Sequence, residues 1–418
     1  MPRPVTPGTP PRRRTGAALA TAALLAAIGL TACGSDDSTD TASSASGSAS
    51  SAASACPADT AGIPQGQGSG MPSGGAGTGA QSLGQAKTIK KTDNSTSTVI
   101  DPEGAAITCD TSALTTTDDI TYSSPTTKGT TTDLKLDIQV PRTSGKKPLV
   151  VYVTGGGWQL ADRTGNLAQR TYIADQGYAV ASIQYRTVAD AATYKDALAD
   201  VKSAIRYLRA HAGTYGIDTD HVFVWGQSAG GYLAAMTGVT NGDKTYDTGG
   251  DLGQSSEVQG VVDEFGPADL SQLAADYDRA AKDSNYAAGN ASAQWVYGPG
   301  THRSVKQYTA QVAAADPATH ISSATPPFLL MHGTADPLVS PSQTLNLFTA
   351  LKGKGVDAER VVLTGAGHGD VSFGAAISSA APGASASGGS SAAADAKPWS
   401  TKETMGYIKD FLASHSRS

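Results

Sequence analysis

Charge is scarce in this chain. Only 16% of its 418 residues are Asp, Glu, Lys or Arg, and the formal net charge is −6. No stripe of Lys and Arg offers counterion release from phosphates, so the composition argues against nucleic acid as a partner. Long apolar runs are also lacking: Ala17 to Leu30 is the main one, at about fourteen residues where a bilayer span needs ~20. Cysteine is rarer still. There are three, Cys33, Cys56 and Cys109, and no spacing among them and the seven histidines fits a metal site. No metal and no cofactor are expected.

Large apolar side chains are missing from two tracts. Residues 33–110, and about 375–397, consist mainly of Ser, Ala, Gly, Thr and Asp. Such segments bury too little to offset their ordering entropy, so both are read as disordered, the first as a linker and the second as an insertion. One globular domain remains, over 111–415.

What is present begins with an export pattern. Arg3 and Arg12 to Arg14 precede the apolar run, which ends in Leu30-Thr-Ala-Cys33. This ending resembles the lipobox of bacterial lipoproteins, which implies a signal peptide over 1–32 and a lipid on Cys33. A plain secretory signal is the alternative. Removing residues 1–32 takes four arginines and no acid, so the charge moves from −6 to −10. Anchoring of this kind places the protein at the outer face of the bacterial cell membrane, with the membrane itself as a partner. Cys56 and Cys109 would then lie outside the cytoplasm, where they either pair as a disulfide or remain as two thiols.

The domain carries its chemistry at strand ends. His221-Val-Phe-Val-Trp225 reads as a strand and runs into Gly226-Gln-Ser-Ala-Gly230, followed by a helix-forming segment. A strand that stops at Gly-x-Ser-x-Gly and restarts as a helix forces the serine onto a sharp, exposed bend. Upstream, the strand Pro148 to Val153 enters Thr154-Gly-Gly-Gly-Trp158, whose glycines free backbone N–H groups to face an oxyanion. The candidate donors are Gly156, Gly157 and Ala229. Downstream, Pro327 to Met331 leads into His332-Gly-Thr-Ala-Asp336-Pro, and Arg360 to Leu363 leads into Thr364-Gly-Ala-Gly-His368.

Ser228, Asp336 and His368 are therefore the candidate catalytic set. The serine needs a base, His368, and the base needs a carboxylate to orient it. His332 competes as the base but directly follows its strand, which suits a role within the loop presenting Asp336. Asp263 and Glu264, ending the strand Val258 to Val262, compete as the acid. Arg186 and Asp200 read as a structural ion pair between a helix and the loop before it.

Those motifs, with Gln184-Tyr-Arg186 and Ala315-Asp-Pro317, resemble the secreted bacterial esterase/lipase branch of the α/β-hydrolases, including hormone-sensitive-lipase-like and feruloyl-esterase-like domains. The resemblance implies an α/β-hydrolase fold: a mostly parallel central sheet, helices on both faces and a small cap insertion at about 266–325. Strand–helix alternation agrees, as does the helical stripe Tyr194, Ala197, Leu198, Val201, Ala204, Ile205 and Leu208. Thr130 to Val140 reads as an early antiparallel strand. Trp158, Tyr232, Trp295 and Tyr297 either line an acyl pocket or pack the core.

The activity implied is cofactor-free hydrolysis of a small-molecule or polysaccharide-linked carboxylic ester through an acyl-enzyme. A serine amidase or peptidase, and an inactive binding protein on the same fold, are the alternatives. One departure stands out: similar proteins usually carry histidine, bracing the glycine loop, where this chain has Thr154.

Overall fold

Period-two patterning decides which faces the strands bury. In the computed structural model, which describes residues 84–370 and 397–416, Leu149, Val151 and Val153 join one core while Val150 and Tyr152 join another. Val222 and Val224 lie on the first side, Phe223 and Trp225 on the second. Strands apolar at every position have no face for water, so both sides of the sheet must be covered.

Among the described residues the sheet has nine strands, in the order β1 (Thr98–Ile100), β11 (Ala358–Leu363), β10 (Phe328–Gly333), β9 (Gly260–Glu264), β8 (Ile217–Gln227), β6 (Lys147–Val153), β7 (Ala179–Ile183), β5 (Leu134–Pro141) and β2 (Leu114–Ser123). Every pairing from β1 to β7 is parallel, while β5 and β2 are antiparallel. A separate two-stranded hairpin joins β3 (Thr126–Thr127) to β4 (Thr130–Thr131).

Helices cover both faces. α1 (Leu167–Asp175) and the C-terminal α9 (Lys402–His415) send Ile173, Met405, Ile408 and Leu412 into one core. α2 (Tyr194–Ala210), α4 (Ala229–Val239) and α8 (Ser342–Gly353) send Val201, Leu233, Met236 and Leu347 into the other. α2 starts where the Asp196 carboxylate accepts from the Thr193 N–H at 2.9 Å, half of a capping box. Short helices complete the chain: α3 (Ala212–Tyr215), then α5 (Arg279–Asn285), α6 (Ala291–Tyr297) and α7 (Ala310–Ala314) in the segment expected as a cap.

Two expectations are corrected. The linker expected over 33–110 is folded from residue 84 onward, and Thr98–Ile100 pairs with Val361–Leu363 as an outer strand. Three β-branched residues suffice there because β11 supplies the partners, which average composition cannot show. The stretch Thr130 to Val140 is not one strand: it forms a two-residue hairpin arm and then β5. The signal peptide, the linker up to residue 83 and, apart from Lys397, the insertion expected around 375–397 lie outside the described residues. Cys33 and Cys56 lie there too. Cys109 is buried and disulfide-bonded.

Candidate active site

Close backbone packing creates the turn that carries Ser228. A Cβ on Gly226 would stand 2.1 Å from the Gly230 carbonyl oxygen, and one on Gly230 would stand 2.0 Å from that of Val153. Only glycine permits β8, α4 and β6 to approach this closely. Ser228 itself sits at φ 55°, ψ −120°, a conformation that side chains rarely adopt, and its N–H donates to the Glu264 carbonyl at 2.9 Å.

Three side chains from three strand ends meet above this turn. Ser228 Oγ lies 2.8 Å from His368 Nε2, and His368 Nδ1 lies 2.7 Å from Asp336 Oδ2. A carboxylate can only accept, so Nδ1 carries the proton and Nε2 is left to accept from the serine hydroxyl. His368 is 6% exposed and Ser228 9%, so both are almost wholly buried.

Asp336 is wholly buried and saturated with donors. Its Oδ1 accepts from the N–H groups of Leu338 (2.8 Å) and Val339 (3.0 Å), and its Oδ2 also lies 3.2 Å from His332 Nε2. Burial pushes the carboxyl up, but the charge on His368 and the hydrogen bonds from His332 and His368 outweigh it and hold Asp336 well below the usual range. The His368 ring tilts against Phe265 at a centroid distance of 4.6 Å, and Phe265 meets Trp399 edge-on at 4.7 Å. Neither aromatic was singled out from sequence. Phe265 follows a strand end at φ 45°, and Trp399 lies beyond a Ser/Ala/Gly tract with no periodicity to mark it.

The glycine loop lies against the serine. A Cβ on Gly155 would be 3.3 Å from Ser228 Cβ, and Gly156 adopts φ 142°. Among the described residues, no acceptor bonds the N–H of Gly156, Gly157 or Ala229. Thr154 does not brace the loop through its hydroxyl, which is buried without a partner among the described residues. The brace comes from Tyr185, whose OH donates to the Thr154 carbonyl at 2.9 Å.

The other candidates fall elsewhere. Asp263 and Glu264 are buried beneath the turn, and burial raises both carboxyls to about 7. Glu264 Oε2 accepts from Trp225 Nε1 at 2.6 Å and from Gln227 Nε2 at 2.8 Å, which ties β9 to the strand bearing the serine. Arg186 and Asp200 form a bidentate pair, with Nη2–Oδ1 at 2.8 Å and Nε–Oδ2 at 2.9 Å. Trp158 stacks on Trp295 at 5.7 Å with Tyr232 edge-on to both, and all three are buried, so they pack the core. Tyr297 is half-buried and shares a hydrogen bond with Thr309. Among the described residues, no His, Cys, Asp and Glu cluster could hold a metal.

Comparison with known proteins narrows what this arrangement is similar to. Residues 136–351 match the family BD-FAE. Over 240 residues the chain is 27% identical to a probable isoprenylcysteine alpha-carbonyl methylesterase, ICMEL1, of Arabidopsis thaliana, covering 57% of this chain and 48% of that protein. It is 28% identical over 215 residues to the probable carboxylic ester hydrolase LipM of Mycobacterium tuberculosis, covering 50% and 46%. The chain thus spans about half the length of the curated relatives it matches. A solved structure, a truncated carbohydrate esterase from gut microbiota, superposes with a TM-score of 0.58 at 24% identity, covering 73% of this chain and 97% of that one. The shared architecture is the α/β-hydrolase fold.

Proposed function

The chain belongs to the BD-FAE family, and on that premise we propose that it is a serine hydrolase of carboxylic esters working through an acyl-enzyme. The observation that carries this reading is the unbroken hydrogen-bond chain from Ser228 through His368 to Asp336, with the serine on a strained turn. The names of the relatives support the ester as substrate class.

In this mechanism Ser228 Oγ attacks the ester carbonyl as its proton passes to His368 Nε2. Asp336 stabilises the imidazolium and stays ionised, because its donors hold its proton affinity low. The N–H groups of Gly156, Gly157 and Ala229 take the oxyanion, each such donor contributing about 3 kcal/mol in comparable sites. His368 then protonates the departing alcohol, which leaves the acyl group on Ser228. Water enters and its oxygen takes the acyl group while its proton passes to His368; His368 then returns that proton to Ser228 Oγ as the Oγ–acyl bond breaks and the acid leaves. No other group is needed to balance the reaction.

The same reading puts the enzyme outside the cytoplasm, held at the membrane through Cys33; its support is the Leu30-Thr-Ala-Cys33 sequence alone. A Cys33→Ser protein should appear soluble in the medium, and membrane retention would overturn the anchor. For the chemistry, a fluorophosphonate should label the wild type and spare Ser228→Ala, with p-nitrophenyl esters cleaved far faster than the anilides. Failure of a folded wild type to label would refute the reading.

A further inference from the structure

A second imidazole touches the carboxylate of the candidate triad, and the surrounding donors dictate its tautomer. Arg360 Nε, which can only donate, lies 3.0 Å from Thr344 Oγ1. The Thr344 hydroxyl therefore accepts from arginine and has its own proton to give to His332 Nδ1, 3.0 Å away. With Nδ1 accepting, the His332 proton sits on Nε2, between Val339 O at 3.1 Å and Asp336 Oδ2 at 3.2 Å.

Arg360 is itself fixed from the far side. Its Nη1 donates to Asn94 Oδ1 and Ser97 Oγ, and its Nη2 donates to the Pro341 carbonyl, all at 2.9 Å. Among the described residues no carboxylate pairs with Arg360 within 4.0 Å, although it is 1% exposed. The buried cation and the buried Asp336 anion thus face each other through two polar side chains.

We infer that His332 is a positioning residue: its Nε2–H, locked by Thr344 and Arg360 and shared between Val339 O and Asp336 Oδ2, is the fourth N–H in contact with Asp336 and weakens that carboxylate's hold on the His368 imidazolium. The inference rests on the triad proposed above. The donated protons of Arg360–Thr344–His332 from one side and of Ser228–His368 from the other thus converge on the Asp336 carboxylate, so the tautomer of each imidazole is set by its neighbours. Burial, opposed by Asp336, lowers the His332 basicity and keeps it a neutral donor. The other charged or titratable groups around the relay are Asp276 and Tyr277 from the cap segment, with Tyr277 OH donating to the Asp336 carbonyl. Glu264 and Asp370 lie on the His368 side.

The test compares His332→Leu, His332→Gln and the isosteric Thr344→Val by pH profiles of kcat/KM on a p-nitrophenyl ester. Losing the fourth donor leaves Asp336 less compensated, so it should hold protonated His368 more tightly. The acid limb should move to higher pH by roughly 0.5 or more, which lowers kcat/KM at a fixed pH on that limb by about 3-fold or more. His332→Gln, which keeps an N–H donor, should recover most of both changes. Thr344→Val should shift the limb in the same direction by less, and it decides the matter if His332→Leu does not fold. A loss of rate with an unmoved acid limb, or no loss at all, overturns the inference. Side-chain nitrogen NMR offers a check independent of turnover: His332 should be the neutral Nε2–H tautomer at pH 5 to 8, and an Nδ1–H or charged ring would overturn it. A wild type that fluorophosphonate does not label would instead sink the triad reading.

Discussion

Replacing Glu264 by glutamine should stabilise the protein more at pH 8 than at pH 5. The carboxyl is fully buried, and burial raises it from 4.5 to about 7 against hydrogen bonds from Gln227 and Trp225. The unfolded chain ionises it near its ordinary value, so between pH 4.5 and 7 the folded state binds more protons. Stability from this group is therefore fully present below about 4.5 and is lost as pH climbs through 7. Across that interval, at about 1.4 kcal/mol per pH unit, the loss comes to roughly 3 kcal/mol. Glutamine keeps an oxygen for Trp225 Nε1 and Gln227 Nε2 and places its NH₂ where Glu264 Oε1 has no partner among the described residues. That burial costs a roughly constant amount at every pH, so the informative quantity is the change with pH. Urea unfolding at fixed ionic strength from pH 5 to 8 measures it. The difference between variant and wild type should swing in favour of glutamine by about 3 kcal/mol. A difference that stays flat would mean the carboxyl does not ionise late, and the reasoning from burial would fail.

Three further outcomes follow from the packing around the site. Gly230→Ala drives a Cβ to within 2.0 Å of Val153 O and 2.6 Å of Thr154 O, so both fluorophosphonate labelling and melting temperature should fall sharply. Arg186→Met strands the buried Asp200 carboxylate and should cost about 3–5 kcal/mol at pH 8, with Asp200→Leu in the same chain restoring most of it; chemical denaturation reads both. Asp336→Asn should lower ester turnover by roughly 10³- to 10⁴-fold, because the amide favours the wrong His368 tautomer, while a circular dichroism spectrum stays native.

The strands leading into the candidate site were legible because each carries an apolar run that gives way to glycine, as at Trp225-Gly226 and Val153-Thr154-Gly155. β2 was not legible: Leu-Thr-Thr-Thr-Asp-Asp-Ile is an exposed outer strand whose pairing with β5 alone makes it extended. The arm from residue 84 was hidden for a related reason, since its order comes from contacts nearly 200 residues distant, such as the Lys87 N–H to Asp278 Oδ2. Within the site, Ser228, Asp336 and His368 stood out through their spacing to strand ends. The order of donors behind Asp336 did not, because it depends on Thr344 and Arg360, which look like ordinary helix and strand residues.

The short strand Thr98–Ile100 has a consequence for how the molecule fails. It is the outermost rung of the sheet, and with it gone β11 would present a row of bare amides and carbonyls to any passing chain. The same loss would take Asn94 and Ser97 from the guanidinium of Arg360. Clipping this arm would thus open a sticky seam directly below the loop that holds His368, so self-association and inactivation should set in together.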